Sequence, residues 1–187
     1  MRTRDYLPLL ALGLLPGAAF AHPGHGESGL LAGLVHPFGG ADHLLAMLAV
    51  GIWAALQPRA LTFAVPGAFL AALLGGFLLG TGGVGLPRVE TGMALSVLLL
   101  GLLIACAARL PAAVSLALAG TFALFHGYAH GVEARGSLVA FAGGFLGASL
   151  TLHLGGGLLA TAVQRRLPLL ARGIGAAIAA SGALMMI

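Results

Sequence analysis

Apolar residues run through this chain in long blocks, each ended by a cluster of Pro, Gly or Arg. A helix needs about 20 apolar residues to cross the hydrocarbon core of a bilayer. Six blocks meet that length after His22: roughly Leu30–Leu56, Leu61–Thr81, Val89–Ala108, Ala112–His130, Ser137–Val163 and Leu167–Ile187. The interruptions are turn-like: Gln57-Pro58-Arg59, Gly82-Gly83 through Pro87-Arg88, Arg109-Leu110-Pro111, Glu133 to Gly136, and Arg165-Arg166. They leave no room for a soluble domain. The pattern predicts an all-α polytopic membrane bundle, one domain over residues 22–187 with six transmembrane helices.

The first block is too long for a plain span. It also contains His36-Pro37-Phe38-Gly39-Gly40. Proline removes a backbone donor, and paired glycines weaken a helix. A broken or re-entrant entry is expected here, with a regular helix resuming from about Asp42. Irregular backbone at membrane depth is tolerated only where it is buried in protein or lines a wet cavity, so the break marks a candidate site.

Upstream, Arg2 and Arg4 precede the short apolar run Tyr6–Leu15, and Ala19-Phe20-Ala21 has the small-residue pattern of a cleavage site. Residues 1–21 are read as a signal peptide removed before His22. Export then places His22 outside. Arg59, Arg109, Arg165 and Arg166 fall on the inner side, against Arg88 and Arg135 outside, in agreement with the positive-inside tendency.

Composition removes the soluble alternative. Charged residues are 7% of the 187 positions, and hydrophobic ones 59%. A soluble domain carries about 25% charged residues. The net charge of +4 comes from scattered arginines without any lysine, which argues against a nucleic-acid partner. The partner expected from composition is the lipid bilayer, and a homo-oligomer is compatible with the pattern. Cys106 is the one cysteine, so a thiolate metal site and an intrachain disulfide are both excluded.

Against this apolar background two clusters stand out. The first is His36-Pro37-Phe38-Gly39-Gly40-Ala41-Asp42-His43. The second is Phe125-His126-Gly127-Tyr128-Ala129-His130-Gly131-Val132-Glu133. The first opens a span at the outer face and the second closes a span at that same face. Glu90, opening the third span, is expected at similar depth. His126, His130 and Glu133 are spaced i, i+4 and i+7 and share one helix face. Asp42 suits either a helix cap or a metal ligand. Imidazole nitrogen and carboxylate oxygen replace the hydration shell of nickel, cobalt, zinc or manganese, whereas copper(I) favours sulfur. Ionisable groups inside a membrane are costly and point to function by default. The metal-ligand candidates are therefore His36, Asp42, His43, Glu90, His126, His130 and Glu133.

These two motifs also carry a resemblance. The stretches H-P-x-x-G-x-D-H and F-H-G-x-A-H-G-x-E, together with the signal peptide and six spans, resemble the HupE/UreJ family of nickel permeases, encoded beside hydrogenase or urease genes. The resemblance implies non-ATP transport of nickel into the cytoplasm for metalloenzyme maturation, with cobalt as the alternative ion. It implies an inner-membrane location with the mature N-terminus in the periplasm. The metal would be cargo, with no permanent cofactor.

Secondary metal candidates are His22 and His25 in the N-terminal tail and His153 in the fifth span. For His153 a packing role is the plainer expectation. Met47 and Met93 are read as gap-fillers, and Phe69, Gly75, Gly76, Gly143, Gly144 and Gly147 as packing positions. No phosphate-binding loop of the G-x-x-x-x-G-K-[ST] type is present, which excludes an ATP-driven pump within this chain. Two rival readings remain. One is an intramembrane metalloenzyme, disfavoured by the absence of H-E-x-x-H; the other is an accessory protein that binds metal without conducting it.

Overall fold

The computed structural model describes residues 29–164 and 167–187. The signal-peptide segment and the candidates His22 and His25 lie outside the described residues. Seven α-helices are found among the described residues: α1 (Leu30–Gly39), α2 (Ala41–Leu56), α3 (Leu61–Thr81), α4 (Val89–Ala105), α5 (Ala112–Glu133), α6 (Leu138–Gln164) and α7 (Pro168–Leu184). No strand occurs among the described residues.

The expected break in the first block is present. Gly40 is extended, with φ −117° and ψ 129°, and separates α1 from α2. The two helices meet at 88°. Pro37 sits inside α1, while Gly39 and Gly40 end it. The helix that resumes begins at Ala41, one residue before Asp42.

By length and hydropathy α3, α5 and α6 can each cross a membrane, and the bent pair α1–α2 makes a fourth candidate span. Helices α4 and α7 are apolar but shorter, at 17 residues each. Large apolar side chains such as Leu31, Phe63, Leu78, Leu102, Leu158 and Leu169 are exposed on the outside of the bundle. That is the surface expected of helices whose solvent is lipid.

Helix α2 forms the centre. Ala46, Met47, Ala49, Val50 and Trp53 are fully buried, so this helix is apolar and enclosed on nearly all sides. Its far end is tied to the loop after α4. Trp53 Nε1 and Gln57 Nε2 both donate to the Ala108 carbonyl, at 3.1 and 2.9 Å. Arg109 Nε donates to the Leu56 carbonyl at 3.3 Å. The arginine-bearing loops after α2 and α4 therefore share one end of the bundle.

Helices α3 and α5 run parallel in backbone contact. A Cβ added at Gly127 or Gly131 would collide with the carbonyl of Leu73 or Phe77. One added at Gly76 or Gly80 would meet the carbonyl of Leu124 or Tyr128. Two small-xxx-small faces are thus set against each other, the close approach that helices use where lipid supplies no hydrophobic drive. The sequence reading was right for Gly76 and Gly144. Gly147 has nothing within 4 Å of such a Cβ, so it is not a packing position.

Candidate metal centre

The second motif explains its own geometry. In α5 each histidine is followed by a glycine, and the glycines Gly127 and Gly131 dock against α3. That contact sets the rotation of α5. It turns His126 and His130, four residues apart on one face, into the interior, where both are 0% exposed. Helix α5 continues beyond His130 to Glu133, three residues past the end expected from hydropathy.

The α1–α2 corner brings the first motif onto that face. The His43 ring lies 4.9 Å from His126 and 4.5 Å from His130 between centroids. The His36 ring lies 4.8 Å from His130 and 6.1 Å from His43. His36 Nε2 meets Glu133 Oε2 at 2.9 Å. Four imidazoles and two carboxylates, from residues as far apart in sequence as His36 and Glu133, thus form one cluster. The ring of Phe145, from α6, stacks on His130 at 4.6 Å.

Hydrogen bonds assign several ring nitrogens. Ser96 Oγ donates its one proton to the Met93 carbonyl at 2.6 Å. His126 Nε2, 2.8 Å from Ser96 Oγ, must then be the donor in that contact. Its Nδ1 is left as a bare lone pair, buried and without a partner. His43 Nδ1 lies 3.0 Å from Asp42 Oδ1, so an ionised Asp42 makes Nδ1 the donor and leaves Nε2 bare. His43 Nε2 is likewise buried and unpartnered. Holding one ring nitrogen so that the other faces a metal is the usual arrangement around ligating histidines. His130 goes further, with both ring nitrogens buried and unpartnered.

Asp42 has a double role in this geometry. Gly40, not Asp42, is the N-cap of α2, but Asp42 Oδ1 accepts the His43 backbone N–H at 2.8 Å. It therefore satisfies one of the free amides at the helix start while orienting the His43 ring.

Not every candidate joins. Glu90 stands in the first turn of α4 and is exposed. No hydrogen bond or ion pair ties it to the histidines among the described residues. His153 is separate, with its Nδ1 2.7 Å from the Met47 carbonyl and its ring 5.1 Å from that of Phe69. Met47 and Met93 contribute backbone carbonyls to these bonds rather than their sulfurs. Among the described residues no three His, Cys, Asp or Glu donors are already gathered around one point as in a preformed metal cage. The His36–Glu133 contact joins the exposed side of the cluster, while Asp42 holds the His43 ring by its Nδ1.

Ser96 carries a role that sequence reasoning missed. A lone serine in an apolar helix gives little signal, because its hydroxyl commonly bonds its own backbone.

Comparison with known proteins decides the family. The family model described as HupE / UreJ protein matches residues 10–185. The chain belongs to the HupE/UreJ family. It is 42% identical over 181 residues to Protein HupE of Rhizobium leguminosarum bv. viciae, covering 95% of each chain. No solved structure matches. The family match spans both histidine motifs and all seven described helices, so the cluster lies within the part shared with the family.

Proposed function

We propose that this chain is a secondary permease that carries a divalent transition-metal ion, nickel first and cobalt second, across the inner membrane into the cytoplasm. The observation that carries the reading is His130. A buried polar group without a partner costs about 1–3 kcal/mol, and native proteins rarely leave one without a reason. Here the unpartnered imidazole stands beside the bare nitrogens of His43 and His126. A cation arriving among them satisfies all three and is offset in charge by Asp42 and Glu133. Glu90 is kept as an outer ligand at the entrance, at the same end of the bundle.

In this reading the bundle crosses the membrane six times. The α1–α2 pair, α3, α5 and α6 supply four crossings. Helices α4 and α7, at 17 residues each, are about 25 Å long, at the short end of what spans a bilayer. The chain is read as entering the membrane after removal of residues 1–21, with the histidine cluster facing the periplasm and His22 and His25 collecting metal in front of it. No resident cofactor is needed, because the metal is cargo, and the receiving protein is a hydrogenase or urease under maturation. The membrane potential contributes about 2.3 kcal/mol per charge per 100 mV, hence roughly 4.6 kcal/mol for a divalent cation, so uptake needs no ATP.

The test is radioactive nickel uptake by cells with and without the gene, followed by flux into liposomes holding the purified protein. Flux in both supports a permease. Metal binding without flux in liposomes would replace it with a metal-holding accessory protein.

A further inference from the structure

Ser149 and His153 stand one helical turn apart on the same face of α6, inward of the stacked pair His130–Phe145. Ser149 is 0% exposed and His153 2%. His153 Nδ1 lies 2.7 Å from the Met47 carbonyl, which can only accept, so Nδ1 is the donor and Nε2 is a bare lone pair. That Nε2 is buried and without a partner.

Ser149 is anomalous in the same way. Several helical hydroxyls in this protein return to the backbone: Thr151 Oγ1 donates to the Gly147 carbonyl at 2.8 Å, and Ser181 Oγ to that of Ala177 at 3.0 Å. Ser149 Oγ has the same option and does not take it; it is buried without any partner. Simple packing explains neither atom. An apolar side chain of similar size would fill the Ser149 position without an unmet hydroxyl, and the Met47 bond employs only one of the two His153 nitrogens.

We propose that His153 Nε2 and Ser149 Oγ form a second, inner coordination point for the cation. It accepts a divalent transition-metal ion after the ion leaves the outer cluster. The spacing suits a handover. From Phe145, level with His130, each four-residue step along α6 is about 6 Å, so His153 lies about 12 Å further in. Imidazole nitrogen and hydroxyl oxygen supply two donors, and waters that accompany the ion complete its shell. The Phe69 ring neighbours both points, 6.3 Å from His126 and 5.1 Å from His153 between centroids. This inner site rests on the permease reading above, so its test separates the two.

Two variants of the full chain decide it. Asparagine places its amide nitrogen near the position of imidazole Nδ1, so His153→Asn keeps the donation to Met47 and removes the Nε2 lone pair. In proteoliposomes this variant is expected to lose nickel flux by at least about tenfold, as metal sites do when their immediate surroundings are altered. Flux equal to the unsubstituted protein would overturn the proposal, since His153 would then serve only to hold Met47. The second variant is Ser149→Cys in a Cys106→Ser background, loaded with cobalt(II). A thiolate-to-cobalt charge-transfer absorption in the near ultraviolet is expected, and its absence would overturn the inner site. The cobalt spectrum decides if His153→Asn fails to fold. If the unsubstituted protein shows no flux, the permease reading fails while the spectrum still reports on the inner site.

Discussion

His36 Nε2 and Glu133 Oε2 meet at 2.9 Å, joining the broken entry helix α1 to the last residue of α5. This contact lies at the exposed edge of the histidine cluster. Both side chains are partly open to the surroundings, with 24% and 59% of their surface exposed. Exposed ion pairs contribute only about 0–1 kcal/mol to stability. Its importance is therefore expected in transport rather than in folding.

Replacing Glu133 by Gln tests that directly. The variant keeps the shape and loses the carboxylate charge offered to an incoming cation. Thermal unfolding in detergent should change little, while nickel uptake at low external concentration should fall by about tenfold or more. A large loss of thermal stability with normal uptake in the surviving protein would reverse the assignment.

The tautomer of His126 depends on Ser96. Ser96→Ala removes the acceptor that fixes Nε2 as the donor and leaves the ring free to turn its proton toward the cluster. Loss of such an orienting partner weakens metal affinity by about 10–100-fold. Calorimetric titration with nickel measures this, and Ser96→Thr, which retains a hydroxyl, should recover part of the loss.

The glycines of the second motif act through backbone contact. Gly127→Ala places a methyl group on the Leu73 carbonyl, where neither helix can yield without moving apart. Overpacking of this kind costs about 1–3 kcal/mol. The same shift displaces His126 and His130, so stability and uptake should fall together. Gly147→Ala, with open space around its Cβ, is the matched control and should leave both unchanged.

Proton competition sets the pH dependence. Imidazole binds a metal only in its neutral form, so protons compete with the cation. Nickel binding and flux into liposomes should weaken, never strengthen, as the external pH is lowered, and tighter binding in acid would count against imidazole ligation.

Much of this was readable from the residues. The break was visible because Pro37, Gly39 and Gly40 interrupt a block too long for one span. The meeting of the two motifs followed from alternating direction, since one motif opens a helix and the other closes one. What could not be read was rotation. Depth alone put Glu90 beside the histidines, but the face it occupies on α4 is set by packing, and it stands exposed. Ser96 and Ser149 were invisible for a different reason. A hydroxyl in an apolar helix usually answers its own backbone, and only the three-dimensional contacts show that Ser96 also holds His126 and that Ser149 holds nothing.

X-ray diffraction from crystals soaked in nickel, with data collected at the nickel absorption edge, would locate the ion itself. A strong anomalous peak between His43 Nε2, His126 Nδ1 and the His130 ring, absent in His130→Ala, is the expected result. No peak there, with these three rings still packed against one another as they are now, would contradict it.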